Sequence, residues 1–300
     1  MRDLLFSIAY RMLGSVAEAE DVVQEAYLRR ESAGEVENER AFMTTVVTRL
    51  AIDVLRSARV RRESYVGEWL PEPLVEAEAP DAVETEEEVS LAMLVLLERL
   101  SPVERAVFVL RESFDFDFSQ IAAIVDRSED NCRQILSRAR RRIEDGRPRF
   151  DADPRERRAL ADRFLAAARH GDLDGLVAML APNAVLVGDG GGIARSIARP
   201  MVGAAAVARA LVGFYGQAEE LGVTLEPVWV NGQPGFRTVA PDGRLVNVVG
   251  LDIRDGRVAA IRSVLNPHKL AHLGEISDLG LRPSFKRRQE AAGEPRTRPS

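Results

Sequence analysis

Three dipeptides, Asn231-Gly232, Asp242-Gly243 and Asp255-Gly256, stand close together in the last third of the chain. Asn-Gly and Asp-Gly tolerate the positive φ angles of a tight reversal, so each reads as a hairpin turn between strands. The runs beside them are strand-like: Val223 to Val230, Gly235 to Val239, Leu245 to Ile253 and Val258 to Leu265. An earlier strand-like run, Ala184 to Gly188, lies among helical stretches at Ala159 to Ala168, Asp172 to Leu180 and Gly203 to Tyr215. Helices followed by a series of hairpins specify an α+β domain. Before Asp151 the apolar residues recur at helical spacing instead, and no strand-like runs flank the Asp-Gly at 145–146. A chain of 300 residues has room for two or three domains, and this change of period puts a boundary near its midpoint.

The helical half divides again. Leu4, Leu5, Ile8, Ala9 and Met12 begin one amphipathic helix, Asp21 to Leu28 continues in a second, and Ala41 to Leu55 forms a third. Gly67-Glu-Trp-Leu-Pro-Glu-Pro then breaks the pattern, because proline disfavours helix at and before its own position. Helices resume near Glu86. Ser101-Pro102-Val103-Glu104 reads as a capping box with proline at the first helical position. Helices are expected at Val103 to Glu112, Ser119 to Val125 and Ser128 to Glu144, the last with Glu129 and Asp130 at the positive end of its dipole.

The formal net charge of −6 conceals a segregation. Glu72, Glu76, Glu78, Asp81, Glu84, Glu86, Glu87 and Glu88 form a strip without lysine or arginine, which reads as an extended, self-repelling linker. Arg49, Arg56, Arg59, Arg61 and Arg62 face only Asp53, and eight arginines lie between Arg127 and Arg149. Local basic patches of this kind suit phosphate, whatever the overall sign. A single cysteine, Cys132, excludes a disulfide framework and suits a reducing cytoplasm. The amphipathic N-terminus does not read as a signal peptide, and no apolar run is long enough to span a membrane.

Two short helices ahead of a third make the helix-turn-helix order, in which the last helix enters the major groove. Cys132, Ile135, Leu136, Ala139 and Ile143 form the apolar side of that third helix, able to pack on Ile121, Ala122 and Ile124. Asn131, Gln134, Arg138 and Arg141 project elsewhere, and these are side chains suited to base edges. Arg133, Arg140 and Arg142 are placed for phosphate. Asp126 stands where such turns often carry glycine. A plain helix-turn-helix regulator satisfies these residues equally well.

The N-terminal half separates the alternatives. Ala19-Glu-Asp-Val-Val-Gln-Glu-Ala-Tyr-Leu-Arg29 resembles the core-binding segment of region 2 in bacterial sigma factors. Thr48-Arg-Leu-Ala-Ile-Asp-Val-Leu-Arg-Ser-Ala-Arg-Val-Arg-Arg62 resembles the helix of that region that engages the −10 element. The arginine helix then corresponds to region 4, the −35 reader. Tyr65-Val-Gly-Glu-Trp-Leu-Pro-Glu-Pro73, Asp189-Gly-Gly-Gly192 and Asn266-Pro-His-Lys-Leu270 further resemble the SigJ-like subgroup of extracytoplasmic-function (ECF) sigma factors, which carries a fused SnoaL-like domain.

The resemblance implies a multidomain fold: two all-α sigma domains, a region 2 helical bundle and a region 4 helix-turn-helix, plus an α+β SnoaL-like cone domain of the nuclear transport factor 2-like type. The expected boundaries are 1–66 for region 2, 67–88 for an acidic linker, 89–147 for region 4, 154–275 for the SnoaL-like domain and 283–300 for a disordered tail. It assigns Asp21, Gln24 and Glu25 to core RNA polymerase and Arg49, Asp53, Arg56, Arg59, Arg61 and Arg62 to the −10 element. It assigns Asn131, Arg133, Gln134, Ser137, Arg138 and Arg141 to the −35 element. Promoter DNA and the polymerase core are then the partners, with the cytoplasm as the compartment and no membrane contact.

In this reading the C-terminal domain takes the place of a separate anti-sigma factor. It acts on the linker (Trp69, Leu70, Pro71) and region 2 through Asp189, Gly190, Gly191, Gly192, Asn266, Pro267, Lys269 and Leu270. Ile193 and His268 depart from the subgroup, which usually has lysine and aspartate there. No cofactor is implied, although a cone-shaped pocket leaves room for an unidentified small ligand. A cyclase or isomerase with an accessory DNA-binding half is the enzymatic alternative. It would need an acid-base pair, and Asp189 and Asp252 are the carboxylates on offer, with Asp189, beside three glycines, reading equally well as a loop residue. His268 and His272 alone make a weak metal site.

Overall fold

The computed structural model describes residues 1–78, 89–144 and 153–283, with the side chains of 58–63 and 144 left out. The chain divides into two compact units, residues 1–64 with 81–149 and residues 65–80 with 150–300.

In the first unit, α1 (Arg2–Leu13) ends at Gly14 in the left-handed region, and the Ser15 hydroxyl caps α2 (Val16–Ser32). These two helices and α3 (Glu39–Glu63) enclose Leu5, Ile8, Met12, Val23, Met43 and Val47, all nearly sealed from solvent. The second helical group opens with α4 (Leu91–Leu97), capped by Ser90. The capping box forms as the sequence specifies at the start of α5 (Pro102–Phe114): Ser101 accepts from the Glu104 amide, and Glu104 accepts from the Ser101 amide at 2.9 Å. Next come α6 (Phe118–Val125) and α7 (Glu129–Glu144). Asp126, in the position flagged for glycine, adopts the left-handed conformation at φ 55° and closes the turn regardless. Ile121 and Ile124 on α6 are buried, as are Cys132, Ile135, Leu136, Ala139 and Ile143 on α7.

Arg105 joins the two helical groups. It is 1% exposed, ion-paired with Glu98, and donates from Nε to the Arg11 carbonyl at 3.3 Å. Burial pulls its guanidinium down to about 9, so it still carries its charge at neutral pH. Arg49 on α3 donates to the carbonyls of Ile124 and Ala123 at 2.9 and 3.0 Å. Those carbonyls are the unpaired acceptors at the negative end of α6, where a cation is favoured.

The second unit is a curved mixed sheet covered by helices. Its strands are β1 (Val75–Glu76), β2 (Leu180–Asp189), β3 (Met201–Val202), β4 (Thr224–Val230), β5 (Gln233–Val239), β6 (Leu245–Arg254) and β7 (Arg257–Val264). The order is β1-β4-β5-β6-β7-β2-β3, antiparallel except where β2 runs parallel to β7. Two of the flagged turns are two-residue reversals with both residues left-handed, Asn231-Gly232 and Asp255-Gly256. The third is longer, and Asp242 holds it by accepting from the Arg244 amide and side chain. Three helices, α8 (Pro154–Arg169), α9 (Leu173–Met179) and α10 (Ala204–Glu220), bury Phe164, Leu176 and Leu211 against Leu251, Val258 and Ile261 of the sheet.

The start of the segment read as an acidic linker is ordered on the C-terminal domain. Residues 65–78 belong to the second unit: β1 pairs with β4, Leu74 and Asn231 exchange hydrogen bonds, and Glu72 is buried. Alternation of leucine, proline and glutamate gives no warning of this, because the pairing partner lies more than a hundred residues away. The rest of the acidic strip, 79–88, and the tail from 284 lie outside the described residues, as do 145–152.

Candidate nucleic-acid interface and a buried aspartate clasp

On α7, Gln134, Ser137, Arg138 and Arg141 are exposed along one stripe, with Asn131 half-buried at its N-terminal end. The opposite side is sealed by the core residues above, so this stripe is the face a duplex could meet. Ion pairs occupy several arginines read as phosphate ligands. Arg133 pairs with Glu129 and Asp130, Arg140 with Glu112 at 2.6 Å, and Arg142 with Glu104 at 2.7 Å. Arg140 and Arg142 therefore brace α7 against α5, which sequence spacing along one helix could not reveal. Arg138 and Arg141 remain the exposed cations of the reading stripe.

On α3, Asp53 and Arg56 are exposed and paired with each other at 3.0 Å. Arg49, assigned with them to the −10 element, places its guanidinium on the carbonyls at the end of α6 in this arrangement. The side chains of Arg59, Arg61 and Arg62 lie outside the described residues. On α2, Asp21 and Gln24 are exposed and Glu25 pairs with Arg29 at 2.8 Å. Leu28, 53% exposed, continues the same stripe at helical spacing. Its spacing from Asp21, Gln24 and Glu25 is the signal in the sequence that marks it.

In the second unit, Asp189 is the final residue of β2 and is 0% exposed, not a loop residue. One carboxylate oxygen accepts from the Tyr65 hydroxyl at 2.5 Å and the Gly191 amide at 3.1 Å. The other accepts from the Leu70 amide at 2.8 Å and the Lys269 ammonium at 2.6 Å. Lys269 also donates to the Leu70 carbonyl, and its ammonium lies 4.1 Å from the Trp69 ring centre and 4.9 Å from that of Tyr65. Asn266 donates to the Tyr65 hydroxyl at 2.8 Å. Burial, reinforced by the bond to Asp189, pushes the Tyr65 phenol above its ordinary range and keeps it a donor.

The glycines have a steric role here. At Gly191, with φ at 57°, a Cβ would come within 2.3 Å of the Asn266 amide nitrogen; at Gly190 it would meet the Ala194 carbonyl. Leu70 and Leu270 are buried beside the clasp, Pro71 is buried and Pro267 half-buried. The two departures, Ile193 and His268, leave the charged centre intact, because Asp189 and Lys269 supply it. Trp69 has its ring against Lys269.

Asp252 is tied to Arg262 within the sheet, so neither carboxylate offered for catalysis is unengaged. His272 places Nε2 2.9 Å from the Pro73 carbonyl and His268 is exposed. Among the described residues no group of three or more His, Cys, Asp or Glu gathers as metal ligands, and no helix is long and apolar enough to cross a membrane.

Comparison with known proteins follows the same division. The sigma-70 region 2 model matches residues 1–61, the sigma-70 region 4 model residues 90–143, and the SnoaL-like domain model residues 161–261. The ECF RNA polymerase sigma factor SigJ of Mycobacterium tuberculosis is 38% identical over 289 residues, covering 90% of each chain. The chain belongs to the ECF RNA polymerase sigma factors. A second relative, the probable ECF sigma factor SigI of the same species, is 34% identical and covers 90% of this chain and 92% of its own. The crystal structure of SigJ superposes with a TM-score of 0.73 at 34% identity, covering 90% of this chain and 95% of that one. Helical sigma regions joined to a SnoaL-like domain are thus the shared architecture. In this sigma factor the clasp joins the segment after region 2 to the C-terminal domain.

Proposed function

We propose that this sigma factor binds core RNA polymerase, directs it to −35 and −10 elements, and is regulated by its own C-terminal domain. The exposed stripe Gln134, Ser137, Arg138 and Arg141, on a helix braced from behind by ion pairs, is the observation that carries the promoter reading. Arginine and glutamine there match the donor and acceptor pattern of purine edges. Asn131 and Arg133 flank the stripe. On α3, Asp53 and Arg56, with Arg59, Arg61 and Arg62, serve the −10 element; Arg49 joins them once region 4 is withdrawn from it. Asp21, Gln24 and Glu25 dock on the polymerase core, with Leu28 supplying apolar contact beside the acidic groups. The compartment is then the cytoplasm, and the chain is a specificity subunit, not an enzyme.

The clasp of Asp189, Lys269, Tyr65 and Asn266 supports the regulatory part. It holds Trp69, Leu70 and Pro71 against the C-terminal domain, and Gly190, Gly191, Gly192, Pro267 and Leu270 shape its walls. A segment held there is not available to the polymerase, so opening and closing the clasp would tune core binding.

Holoenzyme assembled from core polymerase and this chain, presented with a randomised pool of promoter-length DNA, tests the reading. Selective enrichment that requires the chain is expected. Arg138→Ala should weaken binding to the enriched sequence by about 1–3 kcal/mol and relax one −35 position. A uniform loss on all sequences would move Arg138 to the phosphate contacts, and no chain-dependent enrichment would reject the promoter reading.

A further inference from the structure

The second unit encloses a cavity of about 400 Å³ between the sheet and α10. This is the size range of small-molecule sites. Its walls are apolar, among them Leu186, Leu211, Phe236, Val249 and Ile261. Against that background three polar side chains stand out. Tyr215 presents a buried hydroxyl, Asn247 a buried carbonyl oxygen and Ser196 a buried hydroxyl, and each lacks a hydrogen-bond partner among the described residues. Asn247 donates through its nitrogen to Ser263 at 3.0 Å, which orients the carbonyl oxygen as the free acceptor. Burial pushes the Tyr215 phenol far above its ordinary range, so it stays protonated and able to donate.

Leaving one buried polar group unpaired is costly, and three facing one cavity call for an explanation. Phe214, Leu221 and Leu279 line the same cavity and are 48%, 54% and 39% exposed, making an apolar rim. Arg195 is the sole charged lining residue among those described, and it is exposed.

We propose that this cavity binds a neutral, mainly apolar ring compound bearing one hydrogen-bond acceptor and one hydroxyl. The acceptor takes the Tyr215 hydroxyl, the ligand hydroxyl donates to Asn247, and Ser196 serves either group. A fixed anion or cation is disfavoured, because among the described residues no buried counter-charge lines the walls. The site is one of binding and not of turnover: Asp189 and Asp252 both lie outside the lining and are held in ion pairs. The proposal stands apart from the polymerase reading, since it concerns the cavity alone.

Calorimetric titration of the full chain with 6-hydroxyflavone, and with flavone lacking the hydroxyl, tests it. Saturable one-to-one binding is expected, tighter for the hydroxylated compound. Ala218→Trp at the rim should abolish it, and Tyr215→Phe should weaken it about tenfold, the scale of one hydrogen bond. In the free protein Tyr215→Phe should leave the melting temperature unchanged or raised, because it removes an unpaired buried group. No binding of either compound, binding that survives Ala218→Trp, or a Tyr215→Phe protein that melts lower with affinity unchanged would overturn the proposal.

Discussion

Asp189→Ala is expected to free residues 65–78 from the C-terminal domain and to destabilise that domain by about 3–5 kcal/mol. The carboxylate is fully buried and takes four hydrogen bonds, from Tyr65, Leu70, Gly191 and Lys269. Its removal would take one counter-charge from the Lys269 ammonium, which is itself 7% exposed. Asp189→Asn preserves the shape and part of the hydrogen bonding, so it should fall between wild type and alanine. Hydrogen exchange at the Leu70 amide reads the clasp directly, and thermal unfolding reads the domain. Loss of protection at Leu70 is the expected result; unchanged protection in the alanine variant would mean that β1 and the Leu74–Asn231 pair suffice to hold the segment.

The second large effect lies in the first unit. Glu98→Ala should destabilise it by about 2–3 kcal/mol, toward the lower end for breaking a buried pair because the Glu98 side chain is 21% exposed. The loss arises mainly from leaving Arg105 charged and buried at 1% exposure. Arg105→Met removes that buried charge, fills similar space, and leaves a glutamate that water can reach. It should therefore cost less than Glu98→Ala in denaturant titrations of the full chain. The reverse ranking would show that the bond from Arg105 to the Arg11 carbonyl, and not the ion pair, dominates.

Local signals in the sequence translated directly into structure. Ser101 and Glu104 form their capping box, Asn231-Gly232 and Asp255-Gly256 form their tight turns, and the apolar spacing on α7 seals the side it predicted. These features depend on neighbours within a few residues, which the sequence displays. Asp189 was harder, because its partners Tyr65, Leu70 and Lys269 come from segments far away in the chain. A carboxylate before three glycines resembles a loop until those partners are brought around it. Arg49 is similar: its role at the end of α6 depends on how α3 meets region 4. The unpaired groups of Tyr215, Asn247 and Ser196 leave no trace in a one-dimensional pattern, since a free hydrogen-bonding group is defined by what surrounds it.

Run-off transcription from a promoter enriched as above, with core RNA polymerase and with or without the purified chain, decides whether the chain works as a sigma factor. The expected result is a discrete transcript that requires the chain, initiates downstream of the −10 element and needs no added nucleotide hydrolysis for opening. A transcript of equal intensity without the chain, or none with it on DNA that it binds selectively, would contradict the assignment as a sigma factor and leave a helix-turn-helix regulator in its place.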